Sequence, residues 1–110
     1  MVKTSSPFGS KTRSAVLVAL RLLGDSYARE LSRVLEVRVS GVQQALQGLE
    51  EDGLVVAREH GRTKLYRIDP EYFAFAELQR YLLRLAEPER VLRRRIESRR
   101  REPRRTGKRA

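Results

Sequence analysis

The sequence predicts a mainly α domain that carries one β-hairpin, and three observations predict it. Apolar residues recur at helical spacing in separate stretches before residue 50. Two β-rich runs, Leu54 to Glu59 and Thr63 to Ile68, flank the glycine turn His60-Gly61-Arg62. A further apolar-periodic stretch follows Asp69-Pro70. A chain of 110 residues is long enough for one such domain and no more.

Thr4 to Gly9 is rich in Ser, Pro and Gly, and residues 1–10 read as an N-terminal arm. Ser10 is placed to cap the first helix. In that helix Ala15, Val16, Val18, Ala19, Leu20, Leu22 and Leu23 fill more than one face, so it needs neighbours on several sides. Gly24-Asp25 ends it, with glycine in the left-handed terminal position. A second helix spans about Tyr27 to Leu35, with Ser26 as N-cap and Glu30 near the positive end of the dipole. After the turn Glu36 to Val39, a third helix begins at Ser40 and stops at Gly53. Val42, Ala45, Leu46 and Leu49 form its buried stripe. Glu50-Glu51-Asp52 lie at its C-terminus, where the dipole disfavours them, so that end must face solvent or meet basic partners.

Asp69-Pro70 reads as the start of a fourth helix, Asp as N-cap and Pro at the first position. That helix carries Phe73, Phe75, Leu78, Tyr81, Leu82 and Leu85. Pro88 interrupts it, because proline lacks the amide hydrogen and clashes with the preceding turn. Leu78, Leu82, Leu85, Leu92 and Ile96 nevertheless fit one seam that would run through Pro88. After Arg101 the polar composition predicts disorder.

The order helix, helix, tight turn, helix, hairpin, helix is that of a winged helix-turn-helix with a C-terminal dimerisation helix. The expected divisions are 1–10 arm, 11–69 DNA-binding domain, 70–87 dimerisation helix, and 88–110 basic helical extension and disordered tail. The second helix of such a motif enters the major groove N-terminal end first. Here its polar face is Ser40, Gly41, Gln43, Gln44 and Gln47, the candidate base-reading set. Glutamine pairs bidentately with adenine, and Ser40 is suited to cap the helix and meet a phosphate. Phosphate contacts would come from Lys11, Arg13, Arg38, Arg58, Arg62 and Lys64, the last three on the hairpin wing. The fourth helix is too apolar for one stripe, which points to a homodimer interface built from Val16, Leu20, Phe73, Phe75, Leu78, Tyr81, Leu82 and Leu85.

Charge adds less than the total suggests. Of the net +10, residues 1–88 contribute +2 and residues 89–110 contribute +8. The basic C-terminal segment, Arg93 to Arg109, is either an extra backbone-binding arm or a solvated tail. There is no cysteine, hence no disulfide or thiolate metal site. No apolar run approaches membrane-spanning length, and Met1 to Ser10 has no signal-peptide core. The expected location is the cytoplasm, beside the nucleoid.

The segment Leu31 to Leu35, followed by Ser40 to Val55, resembles the recognition-helix region of ArsR-like winged-helix transcriptional regulators. Thr63 to Pro70 resembles their closing wing strand, and the opening Phe8 to Arg13 is similar to a subgroup that includes fusions to nucleotidyltransferase-like domains. The resemblance covers about residues 7–86 and implies a homodimer with one recognition helix per half-site. Glu36 departs from it, standing where the turn often has glycine. The metal-sensing cysteines of some members are absent, and the segment after Pro88 lies outside the pattern.

His60, the single histidine, reads as an exposed turn residue without metal-site partners. No nucleophile–base pair or phosphate-binding loop is present, so neither a catalytic residue nor a cofactor is expected. The expected partner is double-stranded DNA, with no membrane partner and any small-molecule effector unspecified. Alternatives are an adaptor for a protein such as a nucleotidyltransferase-like partner, or an RNA-binding module. No sensor domain is visible, which would place any inducer pocket at the dimer interface.

Overall fold

The computed structural model describes residues 7–100. Most of the expected arm, and the tail after Arg100, therefore lie outside the described residues. The elements are α1 (Lys11–Leu23), β1 (Ser26–Tyr27), α2 (Ala28–Leu35), α3 (Val39–Glu51), β2 (Val55–His60), β3 (Thr63–Ile68), α4 (Phe75–Ala86) and α5 (Arg90–Arg100).

Helix α1 is the centre of the core. Its apolar residues cover several faces, and α2, α3, α4, α5 and β3 all pack against it. Every residue from Ser14 to Leu20 is buried. Ser10 caps it as expected, its Oγ accepting from Arg13 N at 3.0 Å. Gly24 ends it at φ 85°, although its ψ of −137° takes it out of the left-handed helical basin. Both dihedrals together suit only glycine.

The sheet has three strands in the order β1-β3-β2, not the two of a simple hairpin. Ser26 and Tyr27 pair antiparallel with Tyr66 and Leu65, so β1 anchors the wing to the helical body. Ser26 is thus in a strand and does not cap α2; Tyr27 holds the cap position without a side-chain bond. The Ser26 hydroxyl instead donates to Glu30 Oε1 at 2.7 Å, inside the protein.

Two further expectations change at the C-terminal side. Asp69-Pro70 forms a turn rather than a helix start: Asp69 Oδ1 accepts from Glu71 N at 2.9 Å, and α4 begins only at Phe75. The seam through Pro88 does not form. α4 stops at Ala86, and α5 folds back across α1 and α2, burying Leu92 and Ile96 in the same core.

Leu46→Ala should lower unfolding free energy by about 2–5 kcal/mol, because Leu46 is fully buried beneath α1. Gln47→Ala, one residue on and exposed, should change it by less than about 0.5 kcal/mol. Urea denaturation followed by circular dichroism checks both.

Candidate nucleic-acid interface

Helix α3 is divided lengthwise. Val42, Leu46 and Leu49 are fully buried against the body. Ser40, Gln43, Gln44 and Gln47 are all exposed. Their spacing of three and four residues lines them up on one side of the helix. Gly41 does not join them: it is half-buried, and a Cβ there would stand 3.4 Å from Val37 Cγ1. Ser40 also loses its expected cap role. The N-cap is Arg38, no side chain caps that end, and Ser40 lies inside the first turn.

The turn before α3 is held from three sides. Glu36 takes the left-handed conformation, φ 57° and ψ 47°, at the position where the ArsR-like turn often has glycine. Ser32 Oγ donates to Val37 O at 2.6 Å, and Val37 N donates to Ser32 O at 3.2 Å. Arg95 of α5 pairs with Glu36 at 3.2 Å and donates to Val34 O at 2.8 Å. The turn therefore tolerates a non-glycine residue because flanking bonds hold it there.

The wing is β2 and β3 joined at Gly61, whose φ is 69°. Arg58, Arg62 and Lys64 are exposed on it, and Arg38 and Lys11 are exposed on the helical body. Lys64 stands directly opposite Glu59 in the ladder, so its charge is partly countered. His60 is exposed as expected, but it is the last residue of β2 rather than a turn residue, and its Nδ1 lies 2.7 Å from Tyr27 Oη. That contact ties wing to β1. It was not legible in sequence, because a strand of two residues leaves no periodic signal.

Arg13 is placed differently from the other basic residues. Its guanidinium pairs with Asp52 at 3.1 Å and lies across Gly48, where any Cβ would overlap it. It is the basic partner that the acidic end of α3 needed, and it is not free for phosphate. Helix α5 shows the same pattern. Arg95, Arg99 and Arg100 turn inward, to Glu36, to the buried Glu30 at 3.6 Å, and to Leu22 O at 2.7 Å. Much of the described basic extension therefore fastens α5 to the domain.

The expected dimer set divides. Val16, Leu20, Leu78 and Leu82 are buried within their own protomer and leave the candidate interface. Phe75 and Leu85 are half-buried. Phe73, 92% exposed beside Tyr72, and Tyr81, 45% exposed near Phe8, are presented outward. Val91 at the start of α5 adds to the exposed apolar surface.

Burial pushes the Tyr66 phenol up from its ordinary value; Lys64 opposes this, and the Glu50 and Glu59 carboxylates reinforce it. Among the described residues no group of three or more His, Asp and Glu side chains is arranged to hold a metal. No helix among them is long and apolar enough to cross a membrane.

A family model described as the sugar-specific transcriptional regulator TrmB matches residues 10–71, from the cap of α1 through the wing. No curated protein matches the chain. Among solved structures, reduced HlyU from Vibrio cholerae aligns at 26% identity over 69% of this chain and 75% of that one, TM-score 0.54. A double mutant of ZitR from Lactococcus lactis aligns at 18% identity over 94% and 69%, TM-score 0.60. The ST1889 protein of the archaeon Sulfolobus tokodaii aligns at 20% over 74% and 81%, TM-score 0.53. The architecture they share with this chain is the winged helix-turn-helix.

The folded chain holds the Tyr66 proton more tightly than the unfolded chain does. Its contribution to stability is thus complete below the unfolded value of about 10 and is lost as pH rises through that value toward the folded one. Tyr66→Phe should flatten the alkaline fall in melting temperature, measured from pH 8 to 11.

Proposed function

The chain belongs to the TrmB family of transcriptional regulators, and from that premise we propose that it binds double-stranded DNA sequence-specifically as a homodimer. α3 lies in the major groove, and the wing lies along the flanking backbone. The observation that carries this reading is the exposed stripe Ser40, Gln43, Gln44 and Gln47 on a helix whose other side is fully buried.

A B-DNA major groove admits one α-helix, and uncharged amides suit base edges better than phosphates. Ser40 and the uncapped N-terminus of α3 suit a phosphate, helped by the helix dipole. Lys11, Arg38, Arg58, Arg62 and Lys64 supply backbone contacts, with Arg62 at the wing tip placed to reach a minor groove. Arg13 is removed from this set by its bond to Asp52. Phe73 and Tyr81 supply the remaining exposed part of the homodimer surface. Two copies would present two α3 helices to a pseudo-palindromic site, as in the ArsR-like pattern that Ser40 to Val55 resembles. The protein would work beside the chromosome, in the cytoplasm.

Gln43→Ala or Gln44→Ala should relax base discrimination by about 1–3 kcal/mol at one position of a site obtained by in vitro selection. Arg62→Ala should weaken all sequences alike and lower the salt slope by about one; Arg13→Ala should leave that slope unchanged. Fluorescence anisotropy at several salt concentrations reads all four. Unchanged discrimination in both glutamine variants would remove them from readout. Phe73→Asp should shift sedimentation toward the monomer; an unaltered dimer would move the interface elsewhere.

A further inference from the structure

The sequence places any inducer pocket between protomers, yet the structure has a partly open cavity within one. It measures about 180 Å³ and lies between α1, the end of α2 and the corner where α4 meets α5. α1 contributes Ser14, Ala15 and Val18 to its wall, and α2 and α5 contribute Val34 and Leu92. Ser14 is only 4% exposed, and its hydroxyl has no hydrogen-bond partner among the described residues. Unpaired buried hydroxyls are costly and uncommon in folded proteins.

We propose that this cavity binds a small neutral molecule, of the size of one ring or a short branched chain, whose hydroxyl or carbonyl pairs with Ser14 Oγ. Apolar-walled cavities of about 150 Å³ accept a single aromatic ring, which sets the size. Neutrality follows from the wall. Ala15, Val18, Val34 and Leu92 are apolar, and the two charged wall residues are both engaged, Arg95 by Val34 O and Glu36 and Glu89 by an interaction of its own. A charged ligand would lose its water without gaining an unengaged counter-ion.

The site is coupled to the α2–α3 turn. Arg95 joins α5 to both the last turn of α2 and Glu36, and the ligand sits between those helices. Occupancy would shift the turn that sets the angle of α3. This consequence rests on the DNA-binding reading; occupancy of the cavity does not.

Methyl NMR of the full chain, titrated with phenol, tests the assignment. Phenol should shift the Val18, Val34 and Leu92 methyls saturably, and benzoate should bind at least tenfold more weakly. Ala15→Leu, which fills the cavity, should weaken phenol at least tenfold. Ser14→Ala should weaken phenol severalfold and leave toluene unchanged, a selectivity that a structural role for the hydroxyl would not produce; it also serves if Ala15→Leu fails to fold. No saturable shift, or equal phenol affinity in both variants, overturns the site. So do contacts from residues 1–6 to the Val18 methyl in the free chain, which would mean self-occupancy. Methyl shifts that depend on protein concentration without phenol place a second copy there and also overturn it. In a separate DNA titration phenol should change affinity at least threefold in the wild type only. Phenol binding with unchanged DNA affinity overturns the coupling, whereas no DNA binding either with or without phenol overturns the DNA-binding reading instead.

Discussion

Helix α3 faces two environments, and the remaining elements are arranged so that it can. Burial of Val42, Leu46 and Leu49 against α1 fixes its rotation about its own axis. Once that side is sealed, Ser40, Gln43, Gln44 and Gln47 have only solvent to face. A rotation of one residue, about 100°, would bring a glutamine toward the core, where an unpaired amide is costly. The hydrophobic constraint on one side therefore determines the chemistry on the other.

Rotation alone does not position a reading helix; its entry angle matters as well. That angle is set by the left-handed Glu36 and the bonds around it from Ser32, Val37 and Arg95. Arg95 belongs to α5, so the C-terminal extension takes part in holding the motif. Ser26, Glu30 and Arg99 form a second connection between the start of α2 and α5. These polar links favour a single arrangement, with Arg99 Nε held by its 3.6 Å ion pair to Glu30 and by no hydrogen bond among the described residues. They tie the surface that would meet DNA to the helix that lines the cavity.

Most of the fold was legible because its signals are periodic or local. The α3 stripe repeats at helical spacing, Ser10 caps where a cap was expected, and β3 spans Thr63–Ile68 as its flanking turn implied. What was missed depends on contacts distant in sequence or, at Asp69, on a local choice that the residue type leaves open. β1 is two residues long and exists only because β3 lies beside it. Asp69 uses its carboxylate in a local turn, a choice that its residue type allows equally with a cap. Arg13, Arg95, Arg99 and Arg100 look like free cations in sequence, and only the folded chain brings carboxylates or carbonyls to them. The apolar residues of α1 and α4 likewise cannot be divided by sequence between a protomer's core and an interface, since both require the same side chains.

The chain's four glutamines offer a direct measurement, because three lie on α3 and Gln79 lies on α4. Side-chain amide NMR of the ¹⁵N-labelled protein, with a duplex carrying its selected site, reads all four at once. Gln43, Gln44 and Gln47 should shift strongly, with no comparable shift of Gln79. Shifts confined to Gln79 and the Phe73–Tyr81 surface, with the α3 amides unmoved, would contradict DNA reading by α3.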